Sequence, residues 1–213
     1  MTLYIMALVT CSRGLFSLKR NTVMDKNICV FCSSSDHLDK KYYNAATELG
    51  ENIGNTGNHI VYGGTNVGLM HAAAFATKKA GGKVIGVIPE LIHSKGITSN
   101  YADELIVTSD MKERKDVIRD KSDAFIALPG SFGTLEEIME VIALKQLGYH
   151  SKAIVFVDVD GFYSALKAQF DMQYQEKFAK DVYRQLYVFV DNASSALDYI
   201  DNYVENKPIA KWD

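Results

Sequence analysis

The sequence predicts one doubly wound α/β domain built on a parallel sheet. Short β-branched, apolar runs recur from residue 28 to residue 190, and segments of helical composition separate them. The runs are continuously apolar rather than alternating, as strands are when helices cover both faces of a parallel sheet. No internal repeat or interdomain linker interrupts the pattern. Right-handed crossovers follow from that order of elements.

The first strand, Ile28–Cys32, leads through Ser33-Ser34-Ser35 into a helix over 39–53. The second, Ile60–Tyr62, runs into the turn Gly63-Gly64-Thr65-Asn66-Val67-Gly68 and a helix over 67–80. The third, Val84–Ile88, is stopped by Pro89. The loop 89–104 that follows is the longest inside the domain and has the length of an active-site lid. Leu105–Thr108 precedes a helix over 111–121. Ala124–Leu128 is stopped by Pro129 and leads through Gly130-Ser131-Phe132-Gly133-Thr134 to a helix over 135–147. Ile154–Val157 with a helix over 162–175, and Tyr187–Val190 with a helix over 194–205, complete the unit.

At 213 residues and 47% apolar composition the chain can bury one sizeable core, roughly 70% of its unfolded surface. Residues 1–24 read as a disordered N-terminal extension, 25–207 as the domain and 208–213 as a C-terminal tail. In the extension the charges of Arg13, Lys19 and Arg20 follow the apolar stretch Leu3–Val9, the reverse of a secretory signal. Lys plus Arg is 23 against 26 Asp plus Glu, a net charge of −3, so no nucleic-acid partner is expected. No apolar run reaches the ~18 residues of a membrane span. Cys29 and Cys32 form a lone C-x-x-C with no second pair to complete a zinc site. Three residues apart on one strand, they point to opposite faces and read as buried thiols of a reduced, cytoplasmic protein.

Ligands of an open parallel sheet bind beyond the carboxyl ends of its strands. Three strand ends stand out: the serine run 33–35, the glycine turn 63–68 and the stretch 129–134. Glycine permits close backbone approach, and a helix start offers unpaired N–H groups and a positive dipole end. Together they suit a phosphate. There is no G-x-x-x-x-G-K-[ST], and Gly63, Gly64 and Gly68 have the wrong spacing for G-x-G-x-x-G. Glu90 does lie about 20 residues beyond the turn, where a ribose-binding acid sits in dinucleotide sites. Thr134-x-x-Glu137 also fits a capping box, and Met111-Lys112-Glu113-Arg114-Lys115 also fits a solvated helix face, with Asp110-x-x-Glu113 as an ordinary helix start.

These motifs resemble the LOG ("lonely guy") family, the cytokinin riboside monophosphate phosphoribohydrolases. The family's PGGxGTxxE is similar to PGSFGTLEE at 129–137, and its MxxRK to residues 111–115. Further similar stretches are CVFCSSS (29–35), VIGVIP (84–89), DAFIALPG (123–130) and QLGYH (146–150), and the resemblance covers nearly all of 27–205. It implies a Rossmann-like fold, a homodimer, and hydrolysis of the N-glycosidic bond of adenosine-type monophosphates without metal or organic cofactor. It implies catalytic roles for Arg114 and Glu137. It implies substrate or phosphate contacts from Ser33, Ser34, Gly63, Gly64, Lys115, Gly130, Ser131, Phe132, Gly133, Thr134 and Glu136. Ser131 departs from the family's second glycine, Thr65-Asn66 from a common Gly-Ser, and Ala143-Leu144-Lys145 from Thr-Trp-Ala in plant members; these bear on the base preferred, AMP or an isoprenoid-bearing relative. The family's lysine decarboxylase label finds no pyridoxal feature in the sequence. A nucleotide- or pterin-binding carrier without enzymatic activity is the rival reading, with a dinucleotide oxidoreductase behind it.

Overall fold

The apolar runs become the strands of one seven-stranded parallel sheet in the computed structural model, which describes residues 25–205. The strands are β1 (Asn27–Phe31), β2 (His59–Tyr62), β3 (Val84–Pro89), β4 (Glu104–Thr108), β5 (Ala124–Ala127), β6 (Ala153–Val157) and β7 (Val188–Val190). The helices are α1 (Lys40–Asn55), α2 (Gly68–Lys79), α3 (Glu90–His93), α4 (Met111–Lys121), α5 (Phe132–Gln146), α6 (Ser164–Gln175) and α7 (Ala193–Asp201). The sheet order is β4-β3-β2-β1-β5-β6-β7, and every neighbouring pair is parallel. The expected extension 1–24 and tail 208–213 lie outside the described residues.

Two cores follow from the pleat. Ile28, Val30 and Cys32 face one way, with Leu49 and Ile53 of α1, Leu69 and Ala73 of α2, and Leu197 and Ile200 of α7. Cys29 and Phe31 face the other way, with Ile118 of α4, Ile138 and Val141 of α5, and Phe170 and Tyr174 of α6. The two thiols are therefore buried on opposite faces, as the three-residue spacing predicts. On the first face α1 and α2 meet closely because Gly50 and Gly54 present no side chain. A Cβ at Gly50 would stand 2.2 Å from the Ala73 carbonyl oxygen, and one at Gly54 2.7 Å from that of Thr77.

The connection 89–104 is not a freestanding lid. It contains α3 and is tied to the glycine turn: Asn66 N–H donates to the Ile97 carbonyl at 2.9 Å and Ser99 N–H to that of Gly64 at 2.9 Å. Thr65 and Thr98 form an isolated antiparallel bridge between these hydrogen bonds. A short 3-10 helix over Asp181–Leu186 lies where the sequence showed no period. Helix α5 begins at Phe132, ahead of the expected 135, because Ser131 adopts the extended cap conformation at φ −99°, ψ −151°.

The chain runs outward from β1 in both directions, through β2 on one side and β5 on the other, so the loops after β1 and β5 part and open a crevice. The candidate site is built around it.

Gly50→Ala tests the helix approach. The methyl group would meet backbone rather than a movable side chain, so overpacking should cost about 1–3 kcal/mol in urea unfolding. Unchanged stability would show that α1 and α2 part without cost.

Candidate active site

The start of α4 aims one arginine inward. Asp110 caps the helix, its Oδ1 accepting from Glu113 N–H at 2.8 Å. Glu113 Oε2 accepts from the N–H and the hydroxyl of Ser109, each at 2.7 Å. This reciprocal cap sets the helix phase. The solvated-face reading holds for Met111, Lys112 and Glu113, which are exposed, and fails for Arg114, which is 8% exposed. Its Nε donates to the Val87 carbonyl at 3.1 Å and its Nη1 to Glu137 Oε1 at 2.5 Å. Gly63 leaves the room: a Cβ there would stand 2.7 Å from Arg114 Nη2 and 2.8 Å from Met70 Sδ. The structure thus gives Gly63 a purpose beyond backbone approach to a ligand.

Glu137 is not a capping residue. With α5 starting at Phe132, Thr134 is already the third helical residue, and the Glu137 carboxylate turns sideways to Arg114 instead of back to the helix start. The expected capping box is therefore absent. Burial pushes the Glu137 carboxyl above the usual glutamate range, against the charge and hydrogen bond of Arg114, which pull it down. Glu136 next to it adds to the rise and Lys115 opposes it. Desolvation outweighs the ion pair, as is common for buried pairs.

The two expected anion sites fare differently. No side chain caps α5, and Ser131, Phe132, Gly133 and Thr134 line the crevice at its start. Gly130 makes space for Thr134, whose hydroxyl a Cβ at 130 would overlap. The start of α2 is already filled. Gly68 N–H donates to Asp36 Oδ1 at 2.8 Å, and Leu69 N–H to the Ser33 carbonyl at 2.9 Å. Gly68 has φ +58° and packs on the Ser33–Ser34 backbone, an arrangement open to glycine. Asp36 escaped the sequence reading because its partner is 32 residues away.

The crevice has a volume of about 410 Å³, within the ~300–1,000 Å³ range of small-molecule sites. Ser33, Ser34, Gly63, Glu136 and the Arg114–Glu137 pair line it together with the α5 start. Thr65, Met70, Ile92, Met111 and Cys32 complete the wall and were not singled out as contacts. Met70, Ile92 and Met111 are apolar and carry no chemical signature, and the Thr65 hydroxyl is turned to the Met70 sulfur; only the fold brings these residues together. Gly64 stands off the wall at φ +74°, against Ile88. Lys115 lies outside it, its Nζ 2.5 Å from Glu136 Oε1 and 2.9 Å from Glu140 Oε2. Of the sequence departures, Ser131 and Thr65 reach the crevice. Lys145 is buried elsewhere, donating to the Leu186 carbonyl at 2.9 Å and to the Tyr203 hydroxyl at 2.8 Å.

A family model described as "Possible lysine decarboxylase" matches residues 70–200. A cytokinin riboside 5'-monophosphate phosphoribohydrolase of Arabidopsis thaliana is 40% identical over 192 residues, 88% of this chain and 84% of that protein. Another protein of that name from the same plant is 38% identical, over 84% of each chain. Among solved structures, the molybdenum cofactor binding protein of Rippkaea orientalis is similar with a TM-score of 0.62 and 23% identity, over 84% of this chain and 97% of that one. The molybdenum cofactor carrier protein of Chlamydomonas reinhardtii gives 0.60 and 22%, over 83% and 96%. At these identities the structural likeness is one of fold. A pyridoxal group, which the decarboxylase description would imply, does not fit the crevice: no lysine is among the residues that line it.

The balance at Glu137 has a measurable sign. A carboxyl whose proton affinity rises on folding favours the fold below its unfolded pKa, and that contribution is lost as pH rises through the folded value. Urea unfolding of the wild type against Glu137→Gln should therefore show the wild type gaining relative stability as pH falls from 7 towards 4. A relative loss over that range would mean that Arg114, not burial, controls the group.

Proposed function

This chain belongs to the LOG family of cytokinin riboside 5'-monophosphate phosphoribohydrolases, and from that membership we propose that it hydrolyses the N-glycosidic bond of adenosine-type nucleoside 5'-monophosphates. AMP and cytokinin riboside monophosphates are both substrates in this reading. The products are the free base and ribose 5-phosphate. The observation that carries it is the buried Arg114–Glu137 pair at the crevice, beside a helix start that no side chain caps.

Breaking the ribosyl–base bond develops positive charge on the sugar and negative charge on the base. Glu137 supplies a fixed negative charge for the ribosyl cation and accepts a hydrogen bond from the attacking water. The water oxygen joins the ribosyl carbon as the bond to the base nitrogen breaks, and the proton released from water ends on the departing base. Arg114 keeps its charge at any working pH and holds the carboxylate ionised against its burial. The open N–H groups at the start of α5 take the 5'-phosphate. That remote binding energy places the sugar over Glu137.

The proposal includes a homodimer working in the cytoplasm. The buried, unpaired Cys29 and Cys32 support a reducing compartment, and the exposed Phe132 and Leu91 support a covered surface. Among the described residues no helix is long and apolar enough to cross a membrane.

Incubation with nucleoside monophosphates and chromatography of the released base tests the reading. AMP should be cleaved, and adenosine at least ~100-fold less efficiently, since it lacks the anchoring phosphate. Glu137→Gln should fold and bind AMP yet release adenine about 100- to 10,000-fold more slowly. Tight AMP binding by the wild type without any release of adenine would instead support a carrier.

A further inference from the structure

Helix α5 sets three acids against three bases of α4. Glu137 pairs with Arg114, Glu140 with Arg119 at 3.2 Å, and Lys115 bridges Glu136 and Glu140. On a helix, residues 136 and 140 are four apart and 137 and 140 three apart, so the carboxylates are close neighbours. The Lys115 side chain is only 19% exposed, and it stands between the two acids that flank Glu137. Behind Glu137 a cavity of about 10 Å³ is bounded by Lys115, Arg119 and Glu140, with Phe31 and Ile118 as its apolar wall. That is about the size of one water, so Lys115, Arg119 and Glu140 stand close to Glu137, while Glu136 reaches towards solvent.

We propose that Lys115 is a positioning residue for the hydrolysis, not a phosphate contact: it neutralises Glu136 and Glu140 so that Glu137 stands ionised beside them. The inference rests on the hydrolytic reading of the crevice. Two further carboxylates beside a catalytic one oppose its ionisation, and a like charge at this range disfavours the charged form. Among the described residues the other bases near these acids are already engaged. From α4, Arg114 already serves Glu137, and Arg119 is shared by Glu140 and Asp116. Cys29 of β1, on the sheet face that α5 covers, and Cys32 just beyond β1 are buried thiols, and burial pushes both up, so neither brings a charge to Glu137. The direction agrees with the rise that Glu136 causes in the Glu137 carboxyl and the lowering by Lys115.

The experiment uses the full chain. Lys115→Met removes the charge and keeps the stem; Lys115→Arg keeps the charge. The Glu137 carboxyl is titrated by carbon-13 NMR without ligand, its signal assigned with Glu137→Gln, and kcat and KM for AMP are followed against pH. Lys115→Met should raise the Glu137 midpoint by about one pH unit and carry the acid limb of kcat with it. KM for AMP should stay within about threefold, because no binding contact is lost. Lys115→Arg should restore the midpoint, and adding Glu140→Gln to Lys115→Met should lower it again. Should Lys115→Met fail to fold, Glu140→Gln alone must lower the midpoint. An unmoved Glu137 titration, or a large rise in KM at an unmoved acid limb, overturns the proposal and makes Lys115 a substrate contact. A wild type that releases no base while its Glu137 responds as described sinks the hydrolytic reading and leaves the link between Lys115 and Glu137 standing.

Discussion

The hydrogen-bonded ion pair between Arg114 and Glu137 is the constraint around which the crevice is arranged. It joins two helices on one face of the sheet, and each partner is held by something with no other evident purpose. Asp110 and Glu113 fix the start of α4 so that Arg114 points inward. The Val87 carbonyl takes its Nε, and the bare Gly63 leaves room for its fork. Ser131 starts α5 early enough that Glu137 lies beyond the first turn and faces sideways. A buried pair of this kind is a poor source of stability, since desolvation of two charges consumes most of what their attraction returns. Burial pushes the Glu137 carboxyl up in spite of its arginine, in the direction that cost requires. An arrangement that stabilises the fold so little, yet takes so many residues to hold, fits the role proposed for it in the hydrolysis.

The sheet was legible because its strands are covered on both sides, so composition alone marked them: Val84–Pro89 and Ala153–Val157 are buried at every position. The site was half legible. Glycine turns and a helix start at strand ends locate the crevice on general grounds. Which helix start is open could not be read locally, because Asp36 fills that of α2 across 32 residues. Nor could the beginning of α5. Phe132 and Gly133 are weak helix formers, and Thr134 with Glu137 imitates a cap that forms only if the helix starts later. The alternative of a solvated Arg114 has the same origin: a charged run looks solvated unless the partner buried with it is known.

The occupied start of α2 also narrows how a nucleotide can lie. With Asp36 and the Ser33 carbonyl on its first N–H groups, that helix would repel a phosphate rather than cradle it. Of these two helix starts, α5 is left to receive the anion in the proposed reaction. From Phe132 to Glu137 the helix rises about 7.5 Å, roughly the span of a pentose and its 5' carbon. A phosphate at the first turn then brings the sugar over the carboxylate without further adjustment. In the proposed reaction the base takes the rest of the crevice, whose lining includes Met70, Met111 and Ile92 beside the buried Thr65. Methionine is flexible and adapts to irregular shapes, so such a wall binds a purine ring without fixing what hangs from it. Strict selection would need buried polar groups that a wrong base leaves unpaired. In the proposed reaction, then, the phosphate contact does more to hold the nucleotide than any contact to the base.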